Sequence, residues 1–303
     1  MSEPAPSPRK PDWLKVRAPG GQAYRGVKDL LAGLTLHTVC EEARCPNVGE
    51  CWGGGTATVM LMGDTCTRGC RFCAVKTGNP RGVLDPAEPV NTAEALARLD
   101  LRYVVLTSVD RDDLADGGAA HFARTVEAIK MRTPDMIVEV LVPDFQGDRN
   151  ALARLLEARP DVVAHNLETV RRLTPRVRDR RATYEQSLGV LRLLKEMQHD
   201  LYTKTSLMVG IGETETEVLE AMRDARGVGV DVITLGQYLR PSVKHLPLTE
   251  YVTPAQFQAY REAGDALGFM YTASGPLVRS SYRAGEFFLE GRVRARRAAR
   301  AAG

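Results

Sequence analysis

After Cys73 the sequence contains no cysteine, and before Cys40 it contains none either. All six thiols of the 303-residue chain fall between these two positions. A secreted protein stapled by disulfides spreads its cysteines over the fold, so this crowding points to metal ligation. No apolar run approaches the ~18–20 residues of a membrane-spanning helix. The N-terminal MSEPAPSPRKPDW lacks the apolar stretch of a secretory signal. A cytoplasmic protein with no membrane partner is expected. The formal net charge is only +3, which gives no argument for a nucleic-acid partner. A hydrophobic content of 44% and a charged content of 26% are those of an ordinary globular protein. The length admits one large α/β barrel or two ordinary domains. No short-period repeat is visible.

Residues 1–12 are rich in Pro, Ser and charge and are expected to form a disordered tail. Residues 13–56 form a loop-rich extension carrying the first three cysteines. A rhythm of short apolar runs follows, at 57–63, 103–108, 136–142, 161–166, 203–210 and 231–237. Helix-like stretches lie between them, including 119–132, 183–197 and 215–227. Strands alternating with helices predict a parallel sheet with crossover helices, here a partial (β/α)6 barrel over 57–270. A doubly wound open sheet is the alternative. Residues 271–290 form a C-terminal segment and 291–303 a basic tail. Each predicted strand ends in a polar turn, and in parallel barrels the active site lies at that edge.

Cys66, Cys70 and Cys73 have the spacing C-x3-C-x2-C; Cys40, Cys45 and Cys51 have C-x4-C-x5-C. Neither triple has a fourth cysteine within chelating distance. Zinc sites usually pair one C-x2-C half with a second pair downstream, and none follows Cys73. Three thiolates can hold three irons of a 4Fe–4S cluster and leave the fourth iron open.

The stretch CTRGCRFC (66–73) after the first strand, with Phe72 before its last cysteine, resembles the radical S-adenosylmethionine (SAM) superfamily. That resemblance implies that SAM chelates the open iron and that one electron from the cluster splits it to a 5′-deoxyadenosyl radical. It also implies a ferredoxin- or flavodoxin-type electron donor. Within the superfamily the chain resembles the lipoyl synthase family over roughly 20–290. The residues that carry this are CEEARCPNVGEC (40–51), HNLET (165–169), MVGIGET (208–214), QYLRPS (237–242) and RSSY (279–282). The family pattern implies a second, auxiliary 4Fe–4S cluster held by Cys40, Cys45, Cys51 and a serine of RSSY. By the family pattern that serine is Ser281, with Ser280 as the alternative. The implied activity is insertion of two sulfur atoms, at the sixth and eighth carbons of a protein-bound octanoyl-lysine, with the auxiliary cluster as sulfur donor. Implied partners are octanoylated carrier domains (a 2-oxoacid dehydrogenase acyltransferase subunit, the glycine-cleavage H protein) and an iron–sulfur cluster carrier protein. A monomer is the default.

By the same resemblance, Phe72 packs near the adenine of SAM. Thr107 and Ser108 meet its methionine part, Asn166 and Glu168 its ribose, and Gln237, Tyr238 and Leu239 its adenine edge. Glu213 lies in the GIGETE turn, which departs from the superfamily's glycine–x–isoleucine–x–glycine pattern and also reads as the entry to a helix. His165, at a strand end, is either a site residue or a hydrogen-bonded core histidine. His121 and His199 are surface or packing residues. The five arginines of 292–303 read as a solvated helix end, or alternatively as a means of steering an acidic carrier. Rival readings are a biotin synthase, which would lack the upstream triple, a methylthiotransferase, which would add an RNA-binding domain, and a zinc-stabilised binding module.

Overall fold

The computed structural model describes residues 9–16, 20, 25–26, 28–29, 33, 37–38, 47–48, 56–99, 101–281 and 284–302. Cys40, Cys45, Cys51, Tyr282 and most of the expected N-terminal tail lie outside the described residues.

An eight-stranded sheet organises the chain. Its strands are β1 (His37–Thr38), β2 (Thr56–Leu61), β5 (Tyr103–Ser108), β6 (Ile137–Leu141), β7 (Val162–Ala164), β8 (Tyr202–Val209), β9 (Val232–Gln237) and β10 (Tyr271–Gly275), in that spatial order. Only β1 is antiparallel, paired to β2. A separate parallel pair, β3 (Thr65–Cys66) and β4 (Lys76–Thr77), closes the base of the cysteine loop.

Each parallel step needs a crossover, and helices supply it. These are α1 (Glu88–Arg98), α2 (Ala119–Arg132), α3 (Arg149–Glu157), the short α4 (Thr174–Val177) with α5 (Tyr184–Met197), α6 (Glu215–Gly227) and α7 (Pro254–Ala266). In α5 the buried residues Tyr184, Ser187, Leu191 and Leu194 fall on one helical stripe, and the Thr183 hydroxyl caps the N-terminus by accepting from Gln186 N–H. In α6 Thr214 and Glu217 form a capping box, as a helix-entry reading of the GIGETE turn requires.

β10 was not among the strands expected from apolar runs, because YTASG is short and half polar. It pairs in register with β9 through Tyr271 opposite Val232.

The last described element is α8 (Ala284–Ala302), which carries the C-terminal arginines: Arg292 and Arg294 are exposed, as a solvated helix end expects, whereas Arg296 and Arg297 are half-buried. Leu289 and Val293 are fully buried against Tyr103, Val105, Ile137, Val162 and Val232, with Tyr202 and Tyr271 packed alongside. These come from the first residues of β5 to β10, so six strands converge on two side chains. The sheet therefore curves as a partial barrel, with α8 closing its N-terminal mouth. Burying two such side chains contributes about 1.5–3 kcal/mol each. Above them, Lys204 Nζ donates to Glu139 at 2.8 Å, and Tyr103 donates its hydroxyl to the same carboxylate at 2.5 Å. Among the described residues no helix is long and apolar enough to cross a membrane.

Candidate active site

At the C-terminal ends of the strands lies a cavity of about 510 Å³. Cys66, Cys70 and Cys73 line it, together with Thr107 and Ser108 at the end of β5 and Asn166 and Glu168 after β7. Phe72 lines it while packing against the core under β8 and β9. Ser280 and Ser281 reach it from the far end of the chain. The GIGETE turn does not line it: the Glu213 carboxylate accepts the Gly210 and Ile211 N–H groups of its own turn.

The cysteine loop is held by one residue the sequence reading passed over. Arg68 lies between Cys66 and Cys70 and is 4% exposed. Its Nη1 and Nη2 donate to Asp144 at 2.6 and 2.7 Å, and Nε and Nη2 donate to Asp112 at 3.0 and 2.8 Å. Asp110 stands 3.4 Å from the same guanidinium. Burial works to lower the Arg68 pKa, but its hydrogen bonds to Asp144 and Asp112 raise it above the ordinary value. In return Arg68 holds the buried Asp144 carboxyl down at about 2, against the effect of burial. Asp110, which burial dominates, is pushed up to about 6. Three carboxylates from the two turns after β5 and β6 thus grip the loop through one bidentate cation.

Later segments fix the rest of the loop. Arg71 N–H donates to Val177 O at 2.9 Å, Leu246 N–H donates to Arg71 O at 2.8 Å, and His245 Nε2 donates to Cys73 O at 3.0 Å. Backbone N–H groups of Arg68 and Asp110 point at Cys66 Sγ at 3.4 Å, and that of Asp179 points at Cys70 Sγ at 3.3 Å. Such bonds to sulfur tune the potential of an iron–sulfur cluster. Burial raises the thiols of Cys66, Cys70 and Cys73 to about 11, 12 and 11, so a metal has to displace their protons. Among the described residues no three His, Cys, Asp or Glu side chains converge where one metal ion could sit. A cubane asks for something else: each thiolate binds its own iron, so the sulfurs surround a volume rather than a point. Cys66, Cys70 and Cys73 all line the one cavity, which agrees with that demand.

Orphaned polar atoms mark where a second ligand belongs. Ser108 Oγ, Asn166 Oδ1 and Arg178 Nε are buried without a hydrogen-bond partner, and all three residues line the cavity. Arg178 is 8% exposed and has no carboxylate within ion-pair distance among the described residues. It donates to Ser187 Oγ at 2.7 Å and His165 Nε2 lies 2.9 Å from that oxygen. His165 Nδ1 is 2.9 Å from Val142 O. A carbonyl only accepts, so Nδ1 carries the proton and Nε2 accepts from Ser187. Burial, and then the Arg178 charge, push His165 down to about 4, which keeps it neutral. His165 thus lines the cavity with both ring nitrogens engaged, and it meets Arg178 through Ser187.

The other strand ends differ in how free their side chains are. Asn166 donates to Glu168 at 3.0 Å, and burial raises the Glu168 carboxyl. The Gln237 amide is fully engaged: it donates to the carbonyls of Val209, Tyr238 and Glu250, each at 3.1 Å, and accepts from Val252 N–H at 2.8 Å. The Tyr238 hydroxyl donates to Leu246 O at 2.8 Å. Both side chains brace the turn, while half-buried Leu239 lines the cavity. At Gly236 a Cβ would meet Val278 O at 2.1 Å, so only glycine lets the 276–281 loop lie over β9. Asn47, between Cys45 and Cys51, donates to Leu277 O at 2.6 Å. That bond joins the segment of the first triple to the segment carrying Ser280 and Ser281.

A profile of the Radical SAM superfamily matches residues 60–225, and one for the N-terminal domain of lipoyl synthase of the Radical SAM family matches residues 3–45. A lipoyl synthase of Anaeromyxobacter dehalogenans (strain 2CP-C) is 62% identical over 288 residues, covering 95% of this chain and 98% of that protein. The chain belongs to the lipoyl synthase family. A mitochondrial lipoyl synthase of Aspergillus flavus is 59% identical, over 97% of this chain and 72% of that protein. Among solved structures, methylornithine synthase (PylB) superposes with a TM-score of 0.56 at 14% identity, covering 81% of this chain and 74% of that one, a likeness of fold alone. As a lipoyl synthase family member the chain is a radical SAM, sulfur-inserting enzyme, and it takes SAM and a 4Fe–4S cluster.

Proposed function

We propose that this enzyme converts an octanoyl group, amide-linked to a lysine of a carrier domain, into a lipoyl group by inserting sulfur at its sixth and eighth carbons. The bond from Asn47 to Leu277 carries the reading. It brings the segment of the first cysteine triple to the loop of Ser281, beside the cavity of the second triple. Cys66, Cys70 and Cys73 hold the radical cluster; Cys40, Cys45, Cys51 and Ser281 hold the auxiliary one. When bound, the first cluster with SAM supplies a hydrogen-abstracting radical and the second supplies sulfur. The chain's own residues bind and orient. Arg178 takes the carboxylate of SAM, Ser108 and Thr107 its methionine part, Asn166 and Glu168 its ribose, and Phe72, Leu239 and the Gln237–Tyr238 backbone its adenine. Met60, Leu141, Val142 and Leu207 give the cavity apolar wall for an alkyl chain, and excluding water there protects a carbon radical.

The same proposal includes a cytoplasmic monomer and carriers of two kinds, a 2-oxoacid dehydrogenase acyltransferase subunit and the glycine-cleavage H protein. A ferredoxin- or flavodoxin-type donor reduces it, and an iron–sulfur carrier protein restores the auxiliary cluster.

A single-turnover assay tests the function. Anaerobically reconstituted, reduced enzyme with SAM and an octanoyl-lysine peptide is expected to give a monothiolated peptide, then lipoyl peptide, with 5′-deoxyadenosine. Deoxyadenosine without sulfur transfer would move the substrate elsewhere. A hard serine oxygen among soft thiolates is the ligand most easily released. Ser281→Cys is therefore expected to retain the auxiliary cluster and slow sulfur transfer on the order of tenfold or more; undiminished transfer would remove Ser281 as the release point.

A further inference from the structure

We infer that the C-terminal arginines Arg296 and Arg297 are positioning residues that hold Ser281 in the cavity by anchoring α8 to the opposite end of the barrel. This rests on the assignment of Ser281 as a ligand of the auxiliary cluster.

Ser281 lines the cavity at the C-terminal ends of the strands, and α8 starts three residues later. The helix then runs to the other rim. Its 19 residues rise about 28 Å, more than the ~20 Å covered by a six-residue strand. At the far rim Arg297 Nε and Nη2 donate to Asp161 at 2.9 and 2.6 Å, Nη2 also donates to Met136 O at 2.8 Å, and Nη1 donates to Pro134 O at 3.0 Å. Arg296 donates to Asp200 O at 2.7 Å and Asp161 O at 2.8 Å, with its guanidinium 4.5 Å over the Tyr202 ring. These acceptors directly precede β6, β7 and β8. The anchor is therefore made by the rigid floor of the barrel, and Leu289 and Val293 seal the path between it and the serine.

Among the described residues between Gly275 and Ala284 there is no strand or helix. At one end that loop is fixed by β10 and by the contact of Val278 with Gly236. Asn47 also holds it at Leu277, and beyond Ser281 it leads into α8. A helix free to slide or rotate would let Ser281 swing out of the cavity. Two arginines locked onto carbonyls and a carboxylate remove that freedom. Basic residues at a helix C-terminus also suit its dipole, but the dipole alone would not require bonds to three strand entrances.

The test is a coupling measurement on holoenzyme with SAM bound, reading the rate at which a chelator removes iron from the auxiliary cluster. Ser281→Ala is expected to raise that rate roughly tenfold, and Arg296→Gln with Arg297→Gln roughly fivefold. Combined with Ser281→Ala, the arginine substitutions are expected to add nothing, because they act through the serine. Multiplying effects, or arginine substitutions that change nothing while Ser281→Ala is fast, would overturn the anchor and leave the ligand assignment standing. An unchanged rate in Ser281→Ala would overturn both. Should the double substitution unfold the chain, Arg297→Lys carries the same test. It keeps a charge near Asp161 but loses the fork onto Pro134 and Met136, for an expected two- to threefold effect, roughly.

Discussion

Arg68→Ala is expected to prevent the second cysteine triple from holding a cluster and to destabilise the fold by about 3–5 kcal/mol. The substitution leaves the buried Asp144 without its bidentate counter-charge and Asp112 with Arg181, 3.1 Å away, in place of two cations, with Asp110 beside them. Removing one partner of a buried ion network costs more than the network contributes, because the remaining charges stay desolvated. Here they also repel one another. The relief available is for the loop to open and let water reach the carboxylates, and that loop carries Cys66 and Cys70. The two effects should therefore appear together, as a lower urea midpoint and as iron content falling toward that of one cluster. Arg68→Lys keeps the charge but has no fork for two carboxylates, so it should fall between. Full iron content with an unchanged midpoint in Arg68→Ala would show that the later straps from Val177 and Leu246 hold the loop by themselves.

Arg178→Gln is expected to weaken SAM binding by about 3 kcal/mol, or roughly two orders of magnitude in Kd, with both clusters retained. The guanidinium is buried against the cavity, has one nitrogen unpartnered, and meets no carboxylate among the described residues. An anionic ligand group would complete it. Glutamine keeps a donor toward Ser187 and removes the charge, so the fold is expected to persist. A structural role would weaken every ligand alike. The informative comparison is with methylthioadenosine, which lacks the amino-acid end: its affinity should hardly change in the variant. Equal losses for both ligands would mean that Arg178 supports the cavity wall instead of meeting the carboxylate.

Much of this architecture was legible because it follows from local rules. The helices expected at 119–132 and 215–227 occur at those bounds, and the one at 183–197 differs only in that Thr183 is its cap. Their apolar stripes repeat at helical spacing, and no competing signal interrupts them. Buried parallel strands were readable as apolar runs for the same reason. β10 was not, because Tyr271–Gly275 owes its place to pairing with β9 and to α7 packing over it, neither of which marks the sequence locally. The site divides along the same line. Cysteine spacing is local and speaks for itself. The clamp on Arg68 joins turns 42 to 76 residues away, as with Gln186 on Asp144 and Arg68 on the same carboxylate, and only an unusual density of aspartate in VDRDD (109–113) hinted at it. Gln237 and Tyr238 stand at a strand end, where side chains often meet ligands, yet their polar atoms are taken by backbone groups. The C-terminal arginines looked solvated because five in twelve residues usually are. Arg292 and Arg294 are indeed exposed, but Arg296 and Arg297 meet main-chain carbonyls at strand entrances and the Asp161 carboxylate, which no local pattern advertises.

The bond between Asn47 and Leu277 spans 230 positions of sequence. At about 5–20 residues per second, the ribosome makes the second partner some 10–50 s after the first. The triple at 66–73 meets Asp112 and Asp144 early in elongation. The segment around Asn47 has to wait until Leu277 has been made. Assembly of the cavity is thus staggered by the order of synthesis itself: the clamp on Arg68 can close well before the 276–281 loop has anything to meet.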